Sequence, residues 1–337
     1  MDLYLIEEIE EKEKWHNLLL QFEDANFYQL WNYGKFVHQD DVSHLAFYNK
    51  DELVGLTQIR FKLTPLFKKG IAYIFAGPLW RKKNVVYDIN RLKSIYFTLR
   101  FAYCINNKFY LRINPNIFED DEYYKDLSLD GFSKRKVLYN HRTIFLNLDR
   151  DLDEIRMSFK QRFRKTLNRA ERKDIEVIFG TEPQLFNDFI TLYNQLTERK
   201  RFKVNVNPLS LIEFNNQLDL PLKAVVFIAK VSGQPVSALI GSAIGTTGIA
   251  LFSASNEDGM KVGASNLLHW ERIKWFKQKG CKRYDLGGVD PNSNKSVYEF
   301  KRGISQNEYA HIGVFEASDS FLFKQIVHLA EFMKNKF

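Results

Sequence analysis

A stretch of 26 residues, from Val231 to Asn256, contains no charged side chain. An uncharged stretch of this length is long enough to span a bilayer as one helix. Glycine and proline interrupt it at five positions, however, and Ser232-Gly233-Gln234-Pro235 is typical of a tight turn. Because such residues bound strands and break helices, we predict a buried β-hairpin followed by a further strand instead of a membrane helix.

The rest of the chain alternates between strand and helix patterns. Runs of β-branched and aromatic residues predict strands at His44–Tyr48, Leu53–Phe61, Ile71–Ala76, Phe109–Ile113, Thr143–Leu148, Glu176–Phe179, Ala224–Lys230, Val236–Ile244, Gly248–Ala254, Arg283–Asp285 and Tyr309–Phe315. Apolar spacings of three and four predict helices at Val86–Cys104, Leu152–Arg172, Pro183–Arg199, Ser265–Lys279 and Ser320–Lys336. The alternation predicts mixed α/β layers, and a length of 337 residues is typical of two domains.

A faint internal repeat supports the two-domain interpretation. The segments AFYNKDELVGLTQIR (46–60) and IAKVSGQPVSALIGS (228–242) share the order strand, polar turn, strand. Each is followed by a further strand, a long helix and a short strand, which is FYLRINP (109–115) in the first half and KRYDLGG (282–288) in the second. The pattern predicts two copies of one α/β unit, although similar hairpins also arise by chance.

Composition narrows the class of protein. Two cysteines, Cys104 and Cys281, cannot form a disulfide framework, and the acidic N-terminus MDLYLIEEIEEKEKW has no secretory signal pattern. We therefore expect a cytoplasmic protein. The seven histidines show no ligand spacing with cysteines or carboxylates, and the strings GxSxG, GxxxxGK[ST] and GxGxxG do not occur. The sequence thus predicts no metal site, no P-loop and no covalent nucleophile.

Half of the net charge of +8 lies in residues 151–173, which contain eight basic and four acidic side chains. Phe159, Phe163, Leu167 and Ala170 form an apolar stripe at helical spacing, and the cationic stripe beside it consists of Arg162, Lys165, Arg169 and Arg172. Such a ridge fits a phosphate-bearing partner, but a solvated helix face explains it equally well.

The segment CKRYDLGGVDPNSNKSVYEFKRG (281–303) also stands out. A predicted strand ends at Asp285 and is followed by two glycines, a polar loop, and Phe300-Lys301. Loops at strand ends are where α/β proteins place ligands, and a lysine there can stabilise negative charge that develops on a carbonyl during acyl transfer. The alternative is a glycine-rich surface loop with a solvated lysine.

Several strings together resemble one known family. In order, they are QLWNYGKF (29–36), FAGPLW (75–80), LRINP (111–115), FKQRFRKTLNRAERKDIEV (159–177), LTERKRF (196–202), ASNLLHWERIKWFKQKGCKRYDLGGV (264–289) and FKRG (300–303). They resemble the FemABX family of peptidoglycan-bridge aminoacyltransferases, across nearly the whole chain. The resemblance implies an α/β (α+β) fold of two acetyltransferase-like (GNAT) domains. The stretch from Arg199 to Leu220 is too short for the coiled-coil arm of some members.

The resemblance also implies domain bounds, substrates and a reaction. We expect one domain at 1–141, a second at 142–318, and a C-terminal helix at 319–337 that packs on the first. Family members transfer an amino acid from aminoacyl-tRNA to an amine of a cell-wall precursor, which is linked to UDP or to a lipid. The expected partners are these two substrates, with possible peripheral contact to the inner membrane surface and with no cofactor or metal.

Residue by residue, the resemblance assigns the Phe300-Lys301 pair to the transfer site and Lys35 and Arg199 to the phosphates of the precursor. We expect Tyr33 and Asp285 to bind substrate as well, and the cationic stripe Arg162, Lys165, Arg169 and Arg172 to face tRNA or other phosphates. Three acceptor-side positions depart from the family: Lys203 replaces a tyrosine, Phe252 replaces another, and Asn114 replaces an aspartate.

Two other functions remain open. An acyl-CoA-dependent GNAT enzyme acting on a sugar or sugar nucleotide would hold pyrophosphate on a Q/R-x-x-G-x-G/A string, of which residues 260–265 (MKVGAS) are a degraded version. A non-catalytic module that binds RNA or an envelope precursor is the alternative outside enzymes, and the presence of Phe300-Lys301 and Lys35 argues mildly against it.

Overall fold

The computed structural model describes residues 1–63, 70–119, 121, 127, 129–135, 142–200 and 207–336, without the side chains of residues 200 and 330–336. The strands are β1 (Leu5–Glu8), β2 (Asp41–Asn49), β3 (Glu52–Leu63), β4 (Gly70–Phe75), β5 (Tyr110–Asn114), β6 (Ser133–Lys134), β7 (Arg142–Asn147), β8 (Glu176–Gly180), β9 (Val225–Val231), β10 (Gln234–Ile244), β11 (Thr247–Ser255), β12 (Arg283–Val289), β13 (Asn307–Ala310) and β14 (Phe315–Ala317). The helices are α1 (Lys12–Leu19), α2 (Tyr33–His38), α3 (Ile89–Leu99), α4 (Leu152–Ser158), α5 (Gln161–Ala170), α6 (Pro183–Lys200), α7 (Pro208–Asn216), α8 (Glu257–Val262), α9 (Ala264–Gln278), α10 (Lys295–Ile304) and α11 (Phe321–Lys336).

The chain divides into two compact units. Unit 1 contains residues 1–140 and 311–337, and unit 2 contains residues 141–310. The sheet of unit 1 has the strand order β1-β2-β3-β4-β5-β14-β6, and that of unit 2 has the order β13-β7-β12-β11-β10-β9-β8. The two mixed seven-stranded sheets with flanking helices confirm the predicted fold class of two GNAT-like domains.

The internal repeat predicted from the sequence is present in the topology. In unit 1, β2, β3 and β4 form an antiparallel meander, and α3 then crosses over to β5, which lies parallel to β4. In unit 2, β9, β10 and β11 form the same meander, and α9 crosses over to β12, parallel to β11. A parallel neighbour requires a crossover connection, and a helix supplies it in both units.

Each sheet buries one apolar face against its crossover helix. In unit 1, Ile74 and Ile113 pack with Ile95 of α3, and all three are fully buried. In unit 2, Phe227 and Leu239 pack in a core that also contains Phe276 of α9, and α5 contributes Phe163, Leu167 and Ala170. The uncharged stretch 231–256 is the end of β9, all of β10 and β11, so the predicted hairpin and following strand are confirmed. No helix in the described part of the chain is long and apolar enough to cross a membrane.

The helix predicted at 152–172 is wrong as one element, because it is two. Phe159 and Lys160 are extended, each with ψ 144°, and separate α4 from α5. The Lys160 N–H donates to the carbonyl of Gly303 at 2.9 Å, and the Phe159 ring packs 5.8 Å from that of Trp270. A tertiary hydrogen bond and a buried ring therefore outweigh helical continuation at this point.

The strand predicted at Tyr309–Phe315 is also two elements, and they lie in different units. β13 pairs with β7 in unit 2, whereas β14 inserts beside β5 in unit 1. Residues 311–318, which we placed in the second domain, therefore lie in unit 1, because β14 hydrogen-bonds to that sheet. α11 also lies in unit 1, where the Tyr110 hydroxyl is 2.9 Å from Nε2 of His328.

Candidate active site

A cavity of about 1140 Å³ opens in unit 2 between α5, the α8–α9 junction and α10. We call it the cationic cavity, because seven of its lining side chains are basic and Glu299 is its single acidic one. The basic residues are Lys160, Arg162, Lys165, Arg169, Arg172, Lys173 and Lys261. A concave surface with this charge attracts a ligand that carries several negative charges.

The amphipathic pattern of α5 explains how one wall forms. Phe163 and Leu167 are buried in the core, so the opposite face presents Arg162, Lys165 and Arg169 to the cavity. Arg172 lies just past the C-terminus of α5 and lines the same cavity. The structure thus brings together the four cations that the sequence predicted as one stripe.

The second wall is the junction between α8 and α9. Gly263 joins the two helices with φ +79°, in the left-handed region that favours glycine. Asn256 caps α8 by accepting the N–H of Gly259, and the N–H of Gly263 bonds back to the carbonyls of Gly259 and Met260. Most N–H groups of this segment are therefore already used within α8, and the first turn of α9 begins at Ala264 beside the cavity.

Substituting Gly263 by alanine is expected to destabilise unit 2. A Cβ at this position would lie 2.8 Å from Cγ2 of Thr166, in addition to the strain of a positive φ. We expect a loss of about 2 kcal/mol in the free energy of unfolding, measured by denaturant titration. Gly233→Ala is the matched control, since Gly233 has φ +76° with no atom within 4 Å of an added Cβ. Equal losses in both variants would show that contact with Thr166 does not matter.

Lys301 lies on α10, whose N-terminus is capped by the side chain of Asn294. Its Nζ donates to the carbonyl oxygens of Gly287 and Gly288, at 3.1 and 2.8 Å. Burial lowers the pKa of Lys301 to about 8; the Asp285 carboxylate opposes this shift and the Arg272 guanidinium adds to it. Lys301 is therefore a cation at neutral pH that loses its proton far more readily than an exposed lysine.

Phe300 connects this amine to the cationic cavity. The Phe300 ring lines the cavity and packs 5.5 Å from Phe163 of α5 and 5.2 Å from His269 of α9. The loop predicted before Phe300-Lys301 is shorter than expected, because β12 extends to Val289 and α10 already begins at Lys295. The rigid helix, in place of a loop, fixes where Lys301 lies relative to the cavity.

Asp285 lies at the point where the pairing of β12 changes. Its Oδ1 accepts from the Thr143 hydroxyl and, at 2.8 Å, from the N–H of Gly287. The register of β12 against β7 shifts between Asp285 and Gly288, and Gly287 has φ +79°. This bulge turns two carbonyl oxygens toward the Lys301 amine. Asp285 is thus part of the Lys301 surroundings.

The predicted substrate residues of unit 1 have different exposures. Lys35 is exposed on α2. Tyr33 is only 5% exposed and packs among Phe27 and Tyr28, and burial raises the pKa of its hydroxyl to about 12. Asn114 ends β5 and hydrogen-bonds through its side chain to the Tyr73 hydroxyl.

The other predicted residues of unit 2 lie at the end of α6 and on β11. Arg199 is exposed, and its Nη2 donates to the carbonyl of Ser255 at 3.1 Å. Phe252 packs against Phe189 and Tyr193 of α6, with ring centroids 6.0 and 5.8 Å apart. Lys203 lies outside the described residues.

A polar cluster that the sequence patterns did not predict lies inside the core of unit 2, where His269 and Arg272 of α9 meet Tyr284 of β12. The Arg272 guanidinium is 1% exposed and donates to the Tyr284 hydroxyl, which is 3.0 Å from Nδ1 of His269. The available signal was the spacing of His269 and Arg272, which places both on the face of α9 that also carries the buried Phe276. Within the described residues, no group of three or more potential ligand side chains could hold a metal ion.

Comparisons with known proteins relate this part of the chain to one domain family and the whole chain to several solved structures. The profile of the acetyltransferase (GNAT) domain family matches residues 157–302, which include Lys301 and every residue that lines the cationic cavity except Gly303. A comparison with curated protein sequences finds no match. The crystal structure of FemX is similar at TM-score 0.78 and 15% identity, with 95% of this chain and 99% of FemX covered.

Two further solved structures share the fold more distantly. L-PGS from Bacillus licheniformis has TM-score 0.53 and 15% identity, with 94% of this chain and 95% of that chain covered. The C-terminal domain of a putative lysylphosphatidylglycerol synthetase from Agrobacterium fabrum has TM-score 0.57 and 9% identity, with 91% of both chains covered. The chain is therefore an acyltransferase that carries a GNAT domain at residues 157–302 and has the tandem GNAT-like fold of FemX, as its resemblance to the FemABX family predicted.

Proposed function

We propose that this protein transfers an amino acid from aminoacyl-tRNA to an amine of a peptidoglycan precursor. The observation that carries the proposal is a cavity lined by seven cations, one wall of which is the helix that holds Lys301 and contributes the neighbouring Phe300. The cavity supplies binding energy for the phosphates of the donor, and Lys301 supplies a positive charge next to the place where the donor ester would react. FemX has the same fold over nearly its whole length.

The chemistry needs few groups from the protein. The ester that links an amino acid to tRNA is already activated, so the acceptor amine attacks its carbonyl carbon directly. A C–N bond forms, a tetrahedral intermediate carries negative charge on oxygen, and the C–O bond to the ribose then breaks. Positioning of the two substrates and stabilisation of that oxyanion are the main contributions an enzyme can make. Lys301 is the cation suited to the second task.

The junction of α8 and α9 favours a tRNA donor over acyl-CoA. Binding the CoA pyrophosphate requires several free backbone N–H groups at the start of a helix. Here residues 260–262 of the corresponding segment are folded into α8 and the N–H of Gly263 bonds back into that helix, so that only Ala264 and Ser265 of this segment present N–H groups at the start of α9. The cations around the cavity are instead side chains on α5, on the residues that flank it and on α8, and a surface with several cations suits the successive phosphates of an RNA strand.

The acceptor side of the proposal rests on residues outside the cavity. Lys35 and Arg199 are exposed cations suited to the phosphates of the precursor, and Phe252 and Asn114 are proposed to contact its peptide or sugar. Tyr33 is proposed to position Lys35 by anchoring the short helix α2 that carries both residues, since the Tyr33 side chain is buried. Lys203 completes the set as a further phosphate contact.

A transfer assay with a varied donor tests the proposal. Labelled aminoacyl-tRNA and labelled acetyl-CoA are offered separately, with UDP-linked and lipid-linked precursors as acceptors. We expect label in the precursor only from aminoacyl-tRNA. Turnover from acetyl-CoA alone would replace the proposal by a sugar-directed GNAT enzyme, and tight RNA binding without turnover from either donor would indicate a binding module.

A further inference from the structure

The helix α2, which carries Lys35, has only six residues, and its own sequence does little to stabilise it. A helix this short is marginal in water, and its N-cap residue Asn32 has φ 59° and makes no capping hydrogen bond through its side chain. Lys35 is exposed on this helix, next to the buried Gly34. The position of the Lys35 ammonium therefore depends on what holds α2 from outside.

Two facing strands of the unit 1 sheet supply the missing cap. His44 of β2 and Gln58 of β3 are cross-strand partners, and their side chains are buried. The N–H of Gly34, at the position that a capping side chain normally satisfies, donates to Oε1 of Gln58 at 2.7 Å. The N–H of Asn32 donates to Nε2 of His44 at 3.2 Å, and Nε2 of Gln58 donates to the carbonyl of Leu30 at 2.6 Å. Two N–H groups and one carbonyl in residues 30–34 are thus bonded to the sheet.

The hydrogen bonds of the His44 and Gln58 side chains are complete. Nε2 of Gln58 lies 3.3 Å from Nε2 of His44, so both hydrogens of the Gln58 amide have acceptors. Burial lowers the pKa of His44 to about 3, and the neutral ring can accept through Nε2. The Trp31 ring is stacked on His44 with 3.8 Å between centroids. Because a fully satisfied buried polar network fixes the geometry of the groups it joins, this pair is suited to holding α2 in one position.

α2 also packs directly on the next residue pair of the same two strands. Val42 of β2 and Arg60 of β3 face each other. A Cβ on Gly34 would lie 2.4 Å from Cδ of Arg60 and 2.9 Å from Cγ1 of Val42, so glycine is needed for this close approach. Close packing and hydrogen bonds together leave α2, and with it the backbone of Lys35, little freedom to move.

We propose that Gln58 and His44 are positioning residues for acceptor binding: they fix α2 on the sheet of unit 1 so that the Lys35 ammonium meets a phosphate of the precursor. This rests on the proposed function, which assigns Lys35 to that phosphate. Gln58 and His44 act through α2, since both side chains are buried. Apolar side chains at the two positions would cover α2 but would leave its first N–H groups without these acceptors, and the helix would shift.

The test is a double-mutant cycle on the full chain, in which fluorescence anisotropy measures the binding of labelled UDP-linked and lipid-linked precursors. Gln58→Met removes the side-chain hydrogen bonds and keeps a similar shape, and Lys35→Ala removes the ammonium. We expect Gln58→Met to weaken precursor binding about tenfold when Lys35 is present and less than twofold in the Lys35→Ala background, because Gln58 acts through Lys35. The KM for aminoacyl-tRNA and the kcat at saturating precursor should stay within about twofold of wild type.

Two further variants separate this role from general stability. Gly34→Ala keeps Gln58 but forces α2 away from Arg60, so it should weaken precursor binding with the same dependence on Lys35, and it makes the comparison if Gln58→Met does not fold. Thr98→Val removes a buried, hydrogen-bonded hydroxyl from α3, which packs on the opposite face of the sheet, and precursor binding should not change.

The outcomes distinguish this assignment from the proposed function. If Gln58→Met weakens precursor binding equally with and without Lys35, or also lowers kcat, then Gln58 has only a structural role and the assignment is wrong. If wild type binds neither precursor, the proposed function fails and this assignment fails with it. If wild type binds a precursor and Gln58→Met binds it equally tightly, this assignment alone fails.

Discussion

Lys301→Ala is expected to lower kcat for amino-acid transfer by about 10²–10³-fold, because a preorganised group next to a developing oxyanion contributes about 3–4 kcal/mol to the transition state. Acceptor affinity should stay within about threefold of wild type, since Lys301 bonds to the carbonyls of Gly287 and Gly288 and is not one of the exposed cations proposed for acceptor binding. Stopped-time transfer assays and acceptor titrations measure the two quantities.

The pH dependence provides an independent check on the same residue. The pKa of Lys301 is lowered to about 8 by burial, so the side chain is charged below that pH and neutral above it. Activity that needs the charged form is therefore present at neutral pH and is lost as the pH rises through 8. A Lys301→Arg variant stays charged throughout this range, so its activity, although reduced by the different shape, should not fall above pH 8.

Lys295→Ala is the control for these experiments. Lys295 lies on the same helix but is exposed at its first turn, and its removal should change kcat less than twofold. If Lys301→Ala transfers at the wild-type rate, the assignment of Lys301 is wrong and charge stabilisation must come from elsewhere in the site.

Neutralising the cationic cavity is expected to have the second large effect. The double variant Arg162→Ala, Arg169→Ala removes two exposed cations from the α5 wall. If both contact phosphates of a single-stranded RNA end, the slope of log K against log salt should become shallower by about 1.4, and affinity for tRNA at low salt should fall about 10–100-fold. Filter binding or fluorescence anisotropy over a salt series gives both values.

A second double variant with the same change in net charge distinguishes direct contacts between α5 and RNA from attraction of RNA by the overall charge of the protein. Lys50→Ala, Lys279→Ala removes two exposed lysines that do not line the cavity, one in each unit. We expect it to change the salt slope by less than half as much. Equal effects of the two double variants would mean that the protein attracts RNA through its overall charge of +8 and that α5 is an ordinary solvated helix.

Much of the fold could be predicted because hydrophobic patterning is local. The glycine-punctuated stretch 231–256 and the matching hairpin at 46–60 each specify a meander, and the long helices after them specify a crossover. The stripe Arg162, Lys165 and Arg169 followed from the same periodicity. The predicted ends of two elements were wrong. Phe159-Lys160 interrupts the helix predicted at 152–172, and the strand predicted at 309–315 is divided between two sheets. In both cases hydrogen-bond partners distant in sequence compete for the backbone groups of the segment.

The sequence by itself determined that this protein has two similar α/β units, which residues form the cationic stripe, and that Phe300-Lys301 follows a glycine-rich strand end. Only the tertiary structure decided what surrounds Lys301. The lysine loses water because the β12 bulge directs the Gly287 and Gly288 carbonyls toward it. Desolvation and the field of a buried charge depend on atoms brought together from α9, α10 and β12, and no periodicity along a single segment encodes that arrangement.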